Sequence, residues 1–157
     1  MNQFLIKKCI FFYIKKRNKD YNEVTFIQKS LLNPFEVLIG DFGGYIKKLD
    51  MRNPDKFLSQ NKKPLSGGIW RVSSKVVKGC EYHAIALCSG DEIVVLNSDC
   101  NNILLILVEE VWKDDTTKES WAYGVDWKKT ADDDIILKGC SFYDNSSYLY
   151  NLSNIFS

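Results

Sequence analysis

The chain has 157 residues, 45% of them hydrophobic and 13% aromatic, which is enough for one domain with a buried core and excludes disorder throughout. Its 21 Lys and Arg nearly balance its 20 Asp and Glu, so the formal net charge is only +1. No global field attracts nucleic acid or an anionic membrane. We therefore expect neither as a partner.

The first segment, residues 1–30, is predicted to be a leader that is either poorly ordered or an edge strand. Its apolar run, CIFFYI, is far shorter than the roughly 20 apolar residues that a membrane-spanning helix needs. No small-residue cleavage site follows before the charged stretch KKRNKDYNE, as a secretory signal would require. Residues 31–157 are predicted to form a single domain.

Three β-hairpins follow along the chain, with turns predicted at residues 41–44, 89–92 and 144–147. Apolar runs of strand length flank each turn. Further strands are predicted in GGIWRVSS, NILLILVEEVW and SWAYGVDW. A helix competes in NILLILVEEVW because its apolar run is long, but its β-branched residues favour a strand.

The hairpins recur with a blade-sized period. Asp50, Asn97 and Asn151 occupy comparable positions after the second strands, at intervals of about 50 residues. With the intervening strands, each unit has four strands. This pattern predicts an all-β fold, a partial β-propeller of about three blades.

The innermost strands of the propeller are predicted near residues 69–73 and 122–127, where they would line a central channel. A carboxylate at Asp126 could then point into water, while Trp127 packs between blades. Arg71, beside Trp70, could occupy the equivalent place in the preceding unit. Two interpretations of Asp126 stay open, a functional site and a hydrogen bond that ties blades together; for Arg71 a solvated or blade-bridging role is favoured.

The segment IGDFGGYIKKLDMRN resembles the paired outer strands of a WD repeat, with Asp50 at the position of the family's Asp. Three motifs in order, GGIWRV, SWAYGVDW and GCSFYDNSSYLYNLS, resemble the diphthine methylesterases within the WD-repeat family. The resemblance runs from about residue 35 to residue 152. It departs from the family pattern at Leu49, where Trp is usual, at Tyr150 and Asn151, which replace the Trp-Asp pair, and in Cys88-Ser89-Gly90, where a His is expected just before the Gly. The resemblance implies a larger propeller of about seven blades, of which this chain is either the C-terminal part or a truncated product.

Two functions remain open from the sequence. By resemblance, the chain is an ester hydrolase that acts on the diphthine of elongation factor two in the cytoplasm. Asp126 would then be the catalytic base, and Arg71, Trp70 and Tyr123 would bind the substrate. The alternative is a non-catalytic WD-repeat scaffold that binds another protein.

Other reactive residues receive structural interpretations. The chain has no G-x-S-x-G nucleophile elbow. We expect His83 to be a loop or structural histidine, Cys140 to contribute to packing, and Asp144 to satisfy the backbone of a turn. With one histidine and five cysteines but no C-x-x-C pair, the sequence predicts reduced thiols, no metal site and no cofactor.

Overall fold

The computed structural model describes residues 23–53, 56–88, 92–100, 103–108, 122–130, 135–141 and 147–156. Nearly all regular structure in these ranges is β-strand, and no helix in them is long and apolar enough to cross a membrane. The elements are β1 (Val24–Lys29), β2 (Glu36–Asp41), β3 (Ile46–Asp50), β4 (Phe57–Gln60), β5 (Gly68–Val77), β6 (Cys80–Cys88), β7 (Glu92–Asn97), β8 (Ile103–Val108), β9 (Ala122–Lys129), β10 (Ile135–Ser141), β11 (Ser147–Asn151) and the 3-10 helix η1 (Ser153–Ile155).

The described strands form three antiparallel sheets, each made of strands that follow one another along the chain. The first sheet has the order β1-β2-β3-β4, the second β5-β6-β7-β8, and the third β9-β10-β11. Antiparallel neighbours need only short connections, so each strand pairs with its successor. The predicted all-β fold built from three blade-like units is confirmed.

The first predicted hairpin is formed by β2 and β3. Asp41 closes its turn, because its backbone N–H donates to the Tyr45 carbonyl at 3.0 Å and its carboxylate accepts the Tyr45 N–H at 3.0 Å. Gly44 takes up the left-handed conformation, φ +80°, that glycine adopts without strain. The other two hairpins are confirmed as β6–β7 and β10–β11. Residues 89–91 and 142–146 of their turns, which include Asp144, lie outside the described residues.

The three further predicted strands correspond to β5, β8 and β9, although residues 102, 109–112 and 120–121 of those segments lie outside the described ranges. One strand, β4, was not singled out by the sequence, and an edge strand in residues 1–30 was one of two possibilities. The short strand β4 pairs with β3. Residues 24–29 of the expected leader form β1, which pairs with β2 at one edge of the first sheet. The predicted domain division at residue 30 stays a prediction, and residues 1–22 lie outside the described part.

Apolar side chains fill the spaces between facing sheets, as in other stacked β-sheets. The cluster that joins the first and second sheets consists of Leu38, Ile46, Ile69, Ile85, Leu87, Val94, Leu96 and Cys100. The cluster that joins the second and third sheets consists of Ala84, Ala86, Ile93, Val95, Ala122, Ile135, Leu137, Leu152 and Phe156. The second sheet therefore packs on both of its neighbours.

Candidate interaction surface

The first strands of the three sheets, β1, β5 and β9, lie side by side and run in the same direction. Between β1 and β5, the Thr25 hydroxyl donates to the Ile69 carbonyl, and the Ser74 hydroxyl donates to Gln28 Oε1 at 3.3 Å. Between β5 and β9, the Trp127 indole N–H donates to the Ser73 carbonyl at 2.8 Å. These three strands are the inner strands predicted for a propeller, with β1 added to the two expected ones.

A bulge at the matching place near the start of each inner strand gives all three strands one extra residue. The pairing register shifts between Val24 and Phe26 on β1 and between Ile69 and Arg71 on β5. On β9 it shifts between Ala122 and Gly124, which pair with Ser141 and Cys140 of β10. The extra residues are Thr25, Trp70 and Tyr123. Because a bulge redirects the side chain of its extra residue, the three bulges determine which side chains lie on the surface at this end of the sheets.

Trp70 and Tyr123 are in contact, although they belong to different sheets. Their ring centroids are 5.8 Å apart with an interplanar angle of 45°. Trp70 is 37% exposed and Tyr123 is 42% exposed, so a pair of large aromatic side chains remains open to solvent. Two of the residues predicted to bind a substrate are thus brought together.

Arg71, the third residue predicted to bind, follows Trp70 on β5 and is exposed. No acidic side chain in the described part of the chain forms an ion pair with its guanidinium. The solvated role favoured by the sequence agrees with this position. A free guanidinium beside an exposed indole can accept a carboxylate from a partner.

Phe42 adds a third aromatic ring to this end and was missed by sequence reasoning. It lies in the β2–β3 turn and is 55% exposed. The turn packs against β5 so tightly that a Cβ on Gly68 would lie 2.8 Å from the Phe42 carbonyl oxygen. The signal in the sequence was an apolar residue inside a glycine-rich turn. We name the surface formed by Phe42, Trp70, Arg71 and Tyr123 the aromatic patch.

Asp126 is exposed on β9, three residues after Tyr123. Its Oδ1 atom accepts the Ser73 hydroxyl at 2.8 Å and the Trp127 backbone N–H at 2.9 Å. The neighbouring Trp127 side chain packs between the second and third sheets, 6.2 Å from Phe156, as predicted. Asp126 therefore does tie two sheets together, but from a solvent-exposed position. Its predicted role as a base stays a prediction.

His83 is buried within β6 and has a structural role, and it does not lie in a loop. Its Nδ1 atom is 2.8 Å from the Ser74 hydroxyl, and its Nε2 atom has no hydrogen-bond partner. Burial lowers the pKa of His83 from 6.5 to about 4, with Lys48 adding to that effect and Glu81 opposing it. The imidazole is neutral at pH 7 and has no access to a substrate.

Cys140 is exposed on β10, and its Sγ atom packs over Gly124 of β9, where an added Cβ would lie 2.7 Å from the sulfur, so its packing is confined to this contact between neighbouring strands. Residues at alternate positions of β10 face opposite sides of the sheet, and Leu137 takes the buried side. Among the described residues, no three His, Cys, Asp or Glu side chains are grouped so that they could hold a metal ion.

Comparison with solved structures identifies the architecture. The chain is similar to the WD40 β-propeller domain of Doa1, with a TM-score of 0.54 and 11% identity over 84% of this chain and 38% of that one. It is similar to the Dos1 propeller, with a TM-score of 0.56 and 18% identity over 86% of this chain and 34% of that one. The fold is that of a WD40 β-propeller.

A third similar structure is the β-propeller domain of Cps50 (Swd1) from Myceliophteria thermophila, with a TM-score of 0.53 and 10% identity over 85% of this chain and 40% of that one. The chain thus spans between 34% and 40% of the length of these three propellers. No protein-family model and no curated protein matches the sequence.

Proposed function

We propose that the chain is a protein-binding propeller segment that engages its partner through the aromatic patch. The contact between Trp70 and Tyr123 carries the proposal, since two aromatic rings from different sheets meet at the surface and stay exposed. Trp, Tyr and Arg are the residues most enriched among those that dominate binding energy at protein interfaces. Here all three types are adjacent on the rigid inner strands of neighbouring sheets.

The partner that we propose is elongation factor two, as the resemblance to the diphthine methylesterases implies. The patch offers apolar rings and the Arg71 guanidinium, with which no described acidic side chain forms an ion pair, and these suit a protein surface with an apolar anchor next to a carboxylate. Cationic groups such as the trimethylammonium of diphthine also bind over aromatic faces.

Binding measurements test this proposal directly. We expect Trp70→Ala to weaken the affinity for diphthine-containing elongation factor two at least ~30-fold and Tyr123→Ala at least ~10-fold, since each removes a large interface ring. Leu58, which is exposed on β4 away from the patch, provides the matched control Leu58→Ala, expected to bind as the wild type. Unchanged affinity in both aromatic variants would contradict the proposal.

Ester hydrolysis is the second candidate, and the exposure of the Asp126 carboxylate near the patch favours it. A carboxylate in contact with solvent can orient or deprotonate an attacking water. The assay is methanol release from methylated diphthine on the factor. Asp126→Asn should reduce turnover at least ~100-fold while binding is kept. Binding without any methanol release would support the scaffold function and eliminate the hydrolase.

A further inference from the structure

We propose that the opposite end of the sheets carries a second docking surface, which binds an acidic amphipathic segment of another protein. Its apolar centre, here named the leucine patch, consists of Leu31, Leu32, Phe35 and Val76. Leu31 is 54% exposed and Leu32 is 51% exposed, although most surface loops present polar side chains. This proposal does not rest on the function proposed for the aromatic patch.

The leucine patch lies where the inner strands end. Leu31 lies two residues after the last residue of β1, and Val76 is the penultimate residue of β5. Trp70 and Tyr123, by contrast, are near the starts of β5 and β9. Since the inner strands run in the same direction, the two patches are at opposite ends of the molecule.

Hydrogen bonds fix the conformation of the loop that presents the leucines. Ser30 Oγ accepts the backbone N–H groups of Leu32 and Asn33, each at 3.2 Å. The Asn33 Oδ1 atom accepts the Phe35 N–H at 3.1 Å, and the Ser30 N–H donates to the Glu36 carbonyl at 3.0 Å. A loop that is ordered before binding loses little conformational entropy when a partner arrives.

Glu81 of the second sheet anchors this loop from below. Its buried carboxylate accepts the Ser30 hydroxyl at 2.6 Å and the Leu31 N–H at 2.8 Å. Val76 is the cross-strand partner of Glu81, so the residue that anchors Leu31 also pairs with the strand that carries this exposed valine. The first and second sheets therefore both contribute apolar residues to this end of the molecule.

Cations surround the apolar centre. Lys29, Lys75 and Lys78 lie within two residues of Leu31 or Val76 along the chain, and no described acidic side chain forms an ion pair with them. On the far side, the Arg52 guanidinium lies 4.5 Å from the centre of the Phe35 ring, but it is paired with Asp50 at 2.7 Å, so the three lysines are the cations that this surface offers to a partner. An apolar centre with a cationic rim is complementary to a segment that has apolar residues on one face and carboxylates along its edges.

The shape of the loop favours a protein partner over a lipid surface. Peripheral membrane elements bury their apolar face roughly 5–10 Å into the bilayer boundary. Here the Leu31 backbone is bonded to the buried Glu81 carboxylate, which holds the loop at the sheet, and Leu31 and Leu32 are each only about half exposed. Apolar side chains presented in this way suit a helix or strand laid across them.

The probe is a fluorescent synthetic peptide that forms a helix with leucines on one face and glutamates on the other, and its binding is followed by anisotropy. Leu31→Ser combined with Leu32→Ser should weaken binding at least ~10-fold, because the apolar contact is lost. Lys29→Glu combined with Lys78→Glu should weaken it comparably and abolish its salt dependence. Trp70→Ala, at the other end, should bind the peptide as the wild type does.

Several results would overturn the inference. One is equal binding of a control peptide with lysines in place of the glutamates. Another is unchanged affinity in both double variants, whose unfolding midpoints would confirm that they are folded. A third is capture by anionic phospholipid vesicles without any binding of the acidic peptide. Loss of peptide binding in Trp70→Ala would place the peptide on the aromatic patch and equally reject a second surface.

Discussion

Asp126 shows how a carboxylate can lie in an aromatic strand without the cost of burial. Its strand is the first of its sheet and runs beside the first strand of the neighbouring sheet, so the side chain reaches both solvent and Ser73. A charged group that keeps access to water avoids most of the desolvation penalty. A hydrogen bond made from such a position contributes about 1 kcal/mol and positions the strand.

His83 makes the stability of the protein depend on pH. Its folded pKa, about 4, is below the ordinary value of 6.5, so the unfolded chain takes up the proton first as the pH falls. The free energy of unfolding should decrease by about 3 kcal/mol between pH 6.5 and pH 4 through this one residue. Urea unfolding of wild type and His83→Gln across this range isolates the effect. If the free energies of unfolding of wild type and variant differed by the same amount at every pH, His83 would not be the cause of the pH dependence.

The cysteines should differ sharply in reactivity. Burial raises the pKa of the Cys100 thiol to about 12, so almost no thiolate forms at neutral pH. Cys80 and Cys140 are exposed. Alkylation at pH 8 with peptide mapping should label Cys80 and Cys140 at least ~100-fold faster than Cys100. In denaturant the three rates should converge, and fast labelling of Cys100 in the folded protein would contradict its burial.

At the scale of the elements, two glycines allow neighbouring sheets to approach closely. A Cβ on Gly40 of β2 would lie 2.8 Å from the Cβ of Ile69, an atom fixed by the backbone of β5. A Cβ on Gly139 of β10 would meet the terminal methyl of Ile93, which can rotate away. Substitution by alanine therefore tests a rigid contact between sheets at Gly40 and an adaptable contact at Gly139.

We expect Gly40→Ala to lower the free energy of unfolding by about 2 kcal/mol or more, because overpacking forces the first and second sheets apart. Gly139→Ala should lower the free energy of unfolding by less, about 1 kcal/mol at most. Chemical denaturation measures both values. In a double-mutant cycle, Ile69→Ala keeps the Ile69 Cβ but removes the γ carbons that the added Cβ would also meet, so it should make Gly40→Ala partly less harmful, and strict additivity of the two changes would exclude the contact.

Local patterns account for what the sequence predicted at this scale. The strands of the hairpins and the inner strands β5 and β9 follow from apolar runs separated by turn residues. An edge strand was only one of two possibilities for residues 1–30, because β1 follows a highly charged stretch, and β4 was missed because it has only four residues. Ser73, the partner of Asp126, is separated from it by 53 residues, and the contact between Trp70 and Tyr123 depends on bulges. Such contacts are set by sheet packing, which no local pattern contains.

At the scale of the whole molecule, repetition at a blade-sized interval predicted the propeller, since each unit buries its faces only by stacking on neighbours. The same repetition did not predict which surface binds a partner. Phe42 and Leu31 are ordinary apolar residues in the sequence, and only the stacking of sheets leaves them exposed beside Trp70 and Val76 respectively. Function on a propeller depends on loops and strand ends, where the repeat carries least information.

Because each sheet in the described part of the chain is assembled from consecutive strands, none of these sheets has to bring distant segments into one hydrogen-bonded ladder. Contact order within each sheet is low, and sequence-distant contacts arise only where finished sheets meet. Sheets can therefore form in the order of synthesis and pack one after another. The stability of the whole is then approximately the sum of the stability of each sheet and of the contacts between neighbouring sheets. The second sheet packs against both of the other described sheets, so a destabilising substitution in it weakens two contacts between sheets. An equally destabilising substitution in the third sheet weakens only its contact with the second.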